Sequence, residues 1–223
     1  EIGDESILSL LEKINRYIRK IQTETSYQDE RHIYIEPLGK NSSSKNDIDS
    51  ELFELATETK KRLLDPESDL KVLLLTGEVG TGKSLFCEYL RRLILTASDN
   101  LPQDSDETIW IPLLIDLSRK RDANSHPAVS TITLSGILRD ELALTENEIK
   151  LLQVSESKQL LPRFLFIFDE FNHTQSTGDS EKAADNIQNN FCASVDFESF
   201  WKNAKIIITC RSEILFDINR AEM

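Results

Sequence analysis

One stretch, KVLLLTGEVGTGKS from Lys71 to Ser84, constrains this chain more than any other. Gly77, Gly82, Lys83 and Ser84 satisfy G-x-x-x-x-G-K-[ST], a pattern expected by accident in only about one chain in a hundred of this length. Val72 to Leu75 is a short, continuously apolar run, as required of a parallel strand covered on both faces. Beyond Ser84, the residues Leu85, Phe86, Tyr89, Leu90, Leu93 and Ile94 recur at helical spacing and carry a helix to about Thr96. Strand, glycine turn and helix in immediate succession form a cradle for phosphate. The glycines let backbone N–H groups turn toward phosphate oxygens, and the helix N-terminus adds positive potential. Lys83 is placed to reach the β and γ phosphates, and the Ser84 hydroxyl to ligate magnesium.

Three more segments read as strands. Ile109 to Leu117 is interrupted by Pro112, which cannot donate a ladder hydrogen bond, so this strand belongs at an edge or starts late. Phe164 to Phe168 is continuously apolar and runs into Asp169-Glu170, and Ile206 to Ile208 runs into Thr209-Cys210-Arg211. Helical stretches separate them, which makes a parallel α/β sheet the natural architecture. In such sheets ligands bind beyond the carboxyl ends of the strands. Asp169 at that edge fits the acid that holds magnesium directly or through water, and Glu170 fits a general base for the attacking water. Arg211 fits a guanidinium that tells triphosphate from diphosphate and stabilises charge during transfer, a structural salt bridge being the alternative.

Elsewhere, Ile7, Leu10, Leu11, Ile14, Tyr17, Ile18 and Ile21 make one apolar stripe on a helix from about Glu5 to Gln22. Its partner is either its own domain or a preceding domain or second copy. Residues 1–30 are read as this helix and a linker, and 31–223 as the nucleotide-binding domain. His32 to Leu38 alternates like a short strand, and Gly39 to Asn46 is a polar loop. A second amphipathic helix is predicted from Asp49 to Leu64, ended by Asp65-Pro66. Further helices are predicted at Leu134 to Leu142 and from Thr145, where Thr145 and Glu148 form a capping box. Arg119-Lys120-Arg121 reads as a solvated turn. Residues 172–190 read as a long polar loop with a helical part around Glu181 to Gln188, and Phe191 to Trp201 as a helix.

The 223 residues carry 39 acidic against 26 basic side chains, a formal net charge of -13. Such a field repels phosphate backbones and anionic lipid, so nucleic acid is not expected as a general partner. Cys87, Cys192 and Cys210 are odd in number and without C-x-x-C spacing, so neither a disulfide framework nor a zinc site is indicated. That usage fits a reducing cytoplasm. No apolar run approaches about 18 residues, which leaves no candidate membrane span. The start at Glu1 and the end at Met223, soon after a predicted strand, suggest a piece of a longer protein.

GEVGTGKS, FLFIFDEF and KIIITCR, in this order and at these intervals, resemble the NACHT branch of the STAND signalling ATPases, within the wider AAA+ group. The resemblance runs from about Arg31 to Arg211. It implies a P-loop NTPase sheet in the order 5-1-4-3-2, whose fifth strand need not lie within this chain, flanked by helices. It further implies that Gly77, Glu78, Val79, Gly80, Thr81, Gly82, Lys83, Ser84 and Leu85 act as Walker A. Asp169 and Glu170 correspond to Walker B, and Thr209 with Arg211 to sensor 1. ATP and ADP with Mg2+ are the implied ligands. Family members switch between a closed ADP-bound form and an open ATP-bound oligomer. NACHT proteins carry a small residue after the first Walker B acid and acids three and four positions on. Here Glu170, Asn172 and His173 stand there, and the Asp-Glu pair looks like ordinary AAA+ proteins. His173 reads as a solvated loop residue, with nucleotide contact as the alternative.

The leading reading is therefore an ATP-binding, slowly hydrolysing switch module of an intracellular sensing or innate-defence protein. The alternative is an AAA+ motor or remodelling ATPase, which Glu170 favours. A nucleotide kinase lacks an evident second substrate site, and no N-K-x-D guanine motif follows Asp169. Turnover by this chain alone is expected to be weak, because parts of the site supplied by other domains or a neighbouring subunit are lacking.

Overall fold

The computed structural model describes residues 4–28, 38–39, 53–65, 68–99, 109–117, 134–156, 163–170, 201 and 203–212. The elements in chain order are α1 (Asp4–Gln28), β1 (Leu38–Gly39), β2 (Phe53–Glu54), α2 (Leu55–Leu63), β3 (Val72–Gly77), α3 (Lys83–Asp99), β4 (Trp110–Asp116), α4 (Leu134–Leu142), α5 (Glu146–Glu156), β5 (Arg163–Asp169) and β6 (Lys205–Arg211). Four of the strands make one parallel sheet in the order β3-β6-β5-β4, and β1 pairs with β2 in a separate two-stranded antiparallel ribbon. This is a parallel α/β fold with helices on both faces of the sheet, the architecture that the resemblance to P-loop NTPases implies. Counted from the phosphate-loop strand, the order is the 1-4-3-2 part of the expected sheet. Among the described residues the parallel sheet has no fifth strand.

Register explains why the functional groups gather at one edge. Val72 to Gly77 run opposite Ile206 to Arg211, Phe168 opposite Ile208, and Asp116 opposite Asp169. Because side chains alternate along a strand, Phe164, Phe166 and Phe168 face one layer of the protein, while Leu165 and Ile167 face the other. The first layer contains Leu10 and Ile14 of α1, Ile137 and Leu138 of α4, and Ile149 and Leu152 of α5. Trp201 closes it, edge-on to Phe164 and Phe166 at 6.1 and 6.2 Å between ring centres. The second layer is Phe86, Cys87, Leu90 and Ile94 of α3 with Leu63 of α2. Each fully buried Phe or Leu here contributes on the order of 2 kcal/mol from removal of apolar surface from water.

Pro112 lies on β4 at the outer edge of the sheet, as its missing N–H predicted. Its carbonyl accepts a hydrogen bond from Tyr17 Oη at 2.9 Å, so α1 lies along this edge. Burial pushes the Tyr17 phenol up to about 12, although the nearby Arg91 guanidinium opposes this. Of the two partners proposed for the N-terminal stripe, α1 takes its own domain. The helix is also longer than its apolar stripe predicts, reaching Gln28.

The second predicted helix is shorter than expected. Phe53 and Glu54, predicted as helical, form β2 instead, and the helix begins at Leu55. Pairing with Leu38 and Gly39 overrides the helical spacing, and Glu54 stays extended with φ -64° and ψ 114°. The capping box is present as predicted: Thr145 N donates to Glu148 Oε2 at 2.7 Å, and Glu148 N to Thr145 Oγ1 at 3.3 Å. Of the predicted strand at His32 to Leu38, only Leu38 is described. The segments 119–121, 172–190 and 191–200, with His173, lie outside the described residues.

Candidate functional site

The loop between β3 and α3 is shaped by its glycines. Gly80 and Gly82 have φ of +80° and +89°, a left-handed backbone that residues with a Cβ adopt at a cost. Gly77 matters for a different reason, since a Cβ there would sit 2.9 Å from Thr81 Oγ1 and force that hydroxyl to shift. Thr81 Oγ1 in turn donates to Glu78 O at 2.9 Å and closes the turn. Phe86 N donates to Gly82 O at 2.8 Å, so Gly82 supplies the first helical acceptor of α3.

Lys83 then occupies the first position of α3, and the first turn of this helix has no acidic residue. A cation at a helix N-terminus opposes the macrodipole, which favours negative charge there. The chain offsets this locally: Lys83 Nζ donates to Gly77 O and Glu78 O, both at 2.7 Å, with Thr81 Oγ1 at 3.4 Å. The result is a helix end with positive potential and a positive side chain. Ser84 and Leu85 on the same turn are exposed, as are Glu78, Val79, Gly80 and Thr81.

The acids arrive on the neighbouring strands. Asp169 continues the Leu165, Ile167 alternation and so lies on the α3 side of the sheet, where it is 7% exposed. Thr209, following Ile207 by the same alternation, is 1% exposed. Its hydroxyl donates to Asp169 Oδ1 at 2.5 Å and accepts from Glu170 N at 3.0 Å. Glu170 leaves the strand through a left-handed backbone, φ +59°. Arg211 ends β6 directly opposite Gly77, where the phosphate-type loop starts. All thirteen predicted site residues therefore lie in the glycine loop, the first turn of α3, or the carboxyl ends of β5 and β6.

Two features escaped the sequence. Asp116, at the end of β4, pairs in register with Asp169, and Leu117 N donates to Asp169 O at 3.1 Å. A carboxylate closing an apolar strand was the available signal. The second is a pair of buried thiols beside the site. Burial pushes Cys87 well up, reinforced by the charge of Asp169, and pushes Cys210 up to about 11 against the opposing charge of Lys83. Both are inert apolar packing at neutral pH.

Hard oxygen donors, the Ser84 hydroxyl and the Asp169 carboxylate, are the chemistry that suits magnesium. Among the described residues no group of three or more His, Cys, Asp or Glu is placed to hold a metal. Magnesium needs no such cage, since it keeps several waters and takes one or two protein ligands plus phosphate oxygens. No helix among the described residues is long and apolar enough to cross a membrane.

No protein-family model matches the sequence, and no curated protein matches it. Solved structures of the ORC2 protein of Aeropyrum pernix are similar to it. One, in ADPNP-ADP complexes, has 18% identity and a TM-score of 0.45, covering 74% of this chain and 42% of that chain. Another, in an ADP form, has 13% identity and a TM-score of 0.44 over the same shares. The chain thus spans less than half the length of these structures.

Proposed function

We propose that this chain is an ATP-binding and slowly ATP-hydrolysing switch module, of the NACHT type of STAND ATPases, in an intracellular sensing or defence protein. One observation carries the reading. A helix end with positive potential, bearing Lys83 and no first-turn acid, shares one sheet edge with Asp169, Glu170 and Arg211. Backbone N–H groups of the glycine loop hold the α and β phosphates, and Lys83 gives up its loop carbonyls for the β and γ phosphates. Ser84 and Asp169 would hold a magnesium ion, which would supply neutralisation of the triphosphate's charge. Glu170 takes a proton from the attacking water as oxygen bonds to the γ phosphorus. The bond from that phosphorus to the bridging oxygen breaks, its electron pair stays with ADP, and phosphate leaves. Arg211 meets the charge on the γ phosphate and so distinguishes the two nucleotides. Oligomerisation in the ATP state and a cytoplasmic setting belong to the same proposal.

A second reading, an AAA+ motor or remodelling ATPase, is favoured by Glu170 directly following Asp169. Turnover separates them. A switch module is expected to hydrolyse ATP far more slowly than the roughly 10 s⁻¹ typical of enzymes, and Glu170→Gln to abolish that residual rate while ATP still binds. Turnover at or above that rate by the full-length protein would favour the motor, and absence of ATP binding would sink both.

A further inference from the structure

α1 is fastened to the domain at two points. Toward its N-terminus, Ser9 Oγ donates to Glu148 Oε1 at 2.9 Å, and Lys13 Nζ, one turn on, donates to Glu148 Oε2 at 2.7 Å. Lys13 Nζ also donates to Ala143 O at 3.0 Å, in the left-handed turn between α4 and α5. Glu148 already caps α5, accepting from Thr145 N and Thr145 Oγ1. One turn beyond Lys13, Tyr17 Oη donates to Pro112 O of β4 at 2.9 Å. A hydroxyl that has given its proton keeps lone pairs for donors, and the Arg91 guanidinium of α3 hydrogen-bonds it. Arg91 is anchored on α3 through Glu88, with Nη2 at 2.5 Å from Oε1. The Tyr17 hydroxyl therefore joins α3, the helix that starts at Lys83, to β4, the strand after which Leu117 N holds Asp169 O. Apolar support of α1 is narrow. Among its described side chains Leu10, Ile14 and Ile21 are buried, while Leu8 and Leu11 remain exposed. Segments held by few buried apolar contacts open at the low end of a protein's range of local stabilities.

We propose that α1 is a strap that opens as one unit and is coupled to the nucleotide site through Tyr17: fastened, it holds α3 against β4 in the arrangement that binds ATP, and open, it lets the two loosen. The coupling rests on the ATP-binding reading above. Arg91 lies about two turns along α3 from Lys83, roughly 12 Å down one rigid rod. A phosphate held at Lys83 fixes the start of α3, and Tyr17 senses where the middle of that helix lies against the sheet. Coupling of this kind is reciprocal. If the fastened form binds ATP more tightly than the open one, ATP lowers the opening of α1 by the same factor. The two fastenings differ in role: Glu148 ties α1 to α5, and Tyr17 ties it to the two elements that reach the site.

The test measures amide hydrogen exchange between Leu10 and Ile21 with and without ATP and magnesium, and ATP binding by calorimetry on the same sample. These amides are expected to exchange together, faster than those of β5 and β6, and to be slowed about 5-fold or more by saturating ATP. Lys13→Met loosens the strap at its other fastening, so it should speed the exchange about 2- to 10-fold and keep the slowing by ATP. Tyr17→Phe keeps the ring and loses both hydrogen bonds. It should speed the exchange by a similar factor and abolish the slowing. Exchange of α1 at the rate of β5 and β6 would overturn the strap. ATP binding that leaves α1 exchange unchanged would overturn the coupling, and slowing of wild-type size in Tyr17→Phe would overturn Tyr17 as its carrier. Absence of ATP binding, which calorimetry shows separately, overturns the nucleotide reading and the coupling with it.

Discussion

Gly77 and Arg211 are register partners on adjacent parallel strands, so the residue that opens the glycine loop and the arginine that ends β6 have their backbones side by side. Arg211→Ala is accordingly expected to cost ATP about 10- to 100-fold in affinity, the equivalent of one charge-assisted contact, and ADP far less. Parallel calorimetric titrations with the two nucleotides check this. Equal losses would place Arg211 on the shared phosphates or in the scaffold.

Lys83 spends its ammonium protons on the loop that carries it, bonding Gly77 O and Glu78 O. These carbonyls lie near solvent, so Lys83→Ala should move the melting temperature by only about 2 °C or less while removing most triphosphate affinity. Thermal denaturation and ATP titration of the same sample separate the two effects.

Gly80 and Gly82 have left-handed φ and open space around the position a Cβ would take. Substitution there costs backbone strain without a clash, so Gly80→Ala and Gly82→Ala should each destabilise by about 1 to 2 kcal/mol. Gly80→Asn should cost less than Gly80→Ala, because asparagine tolerates this conformation. Urea denaturation midpoints at constant slope would show the order.

Glu148 gives a pH signature. Burial by itself pushes its carboxyl up, but hydrogen bonds from Lys13, from Thr145 and from Ser9 outweigh this and bring it down to about 2. Lys13 Nζ is 2.7 Å from Oε2, and Ser9 Oγ is 2.9 Å from Oε1. A depressed carboxylate pKa stabilises the fold fully above its unfolded value, about 4.3, and that contribution is lost as pH falls toward 2. Glu148→Gln should therefore be less stable than the wild type at pH 7 by about 1 to 3 kcal/mol. The gap should close between about pH 4.3 and pH 2. A gap independent of pH would assign the loss to packing.

What could be read in advance was what depends on neighbours in sequence. FLFIF and KIIIT announce buried strands by composition, and Thr145 with Glu148 announces a helix start by spacing. Phe53 and Glu54 fit a helix by spacing too, yet they form β2, because the residues that recruit them, Leu38 and Gly39, lie fourteen or more positions away. Trp201 carried no local sign that it would stand edge-on to Phe164 and Phe166. Glu148 was legible as a cap, but not as the partner of Lys13, which is 135 residues distant in the chain. Lys205, one position before the predicted strand at Ile206, carried no local sign of its place either. It is buried, donates to Ser68 O and Leu70 O at 2.7 and 2.6 Å, and has its ammonium pKa lowered first by burial.

By itself the sequence determined the phosphate-type loop, the helix that follows it, and the strands that end in Asp169-Glu170 and Thr209-Cys210-Arg211. Glycine conformations, apolar runs and helical spacing are local, and each is written within a dozen residues. Only the tertiary structure decided what those ends do to one another. The register of β4, β5 and β6 places the Asp169-Glu170 peptide between Leu117 N and Thr209 Oγ1, and sets Arg211 beside Gly77. Register depends on packing both faces of the sheet at once, which no single stretch of sequence contains.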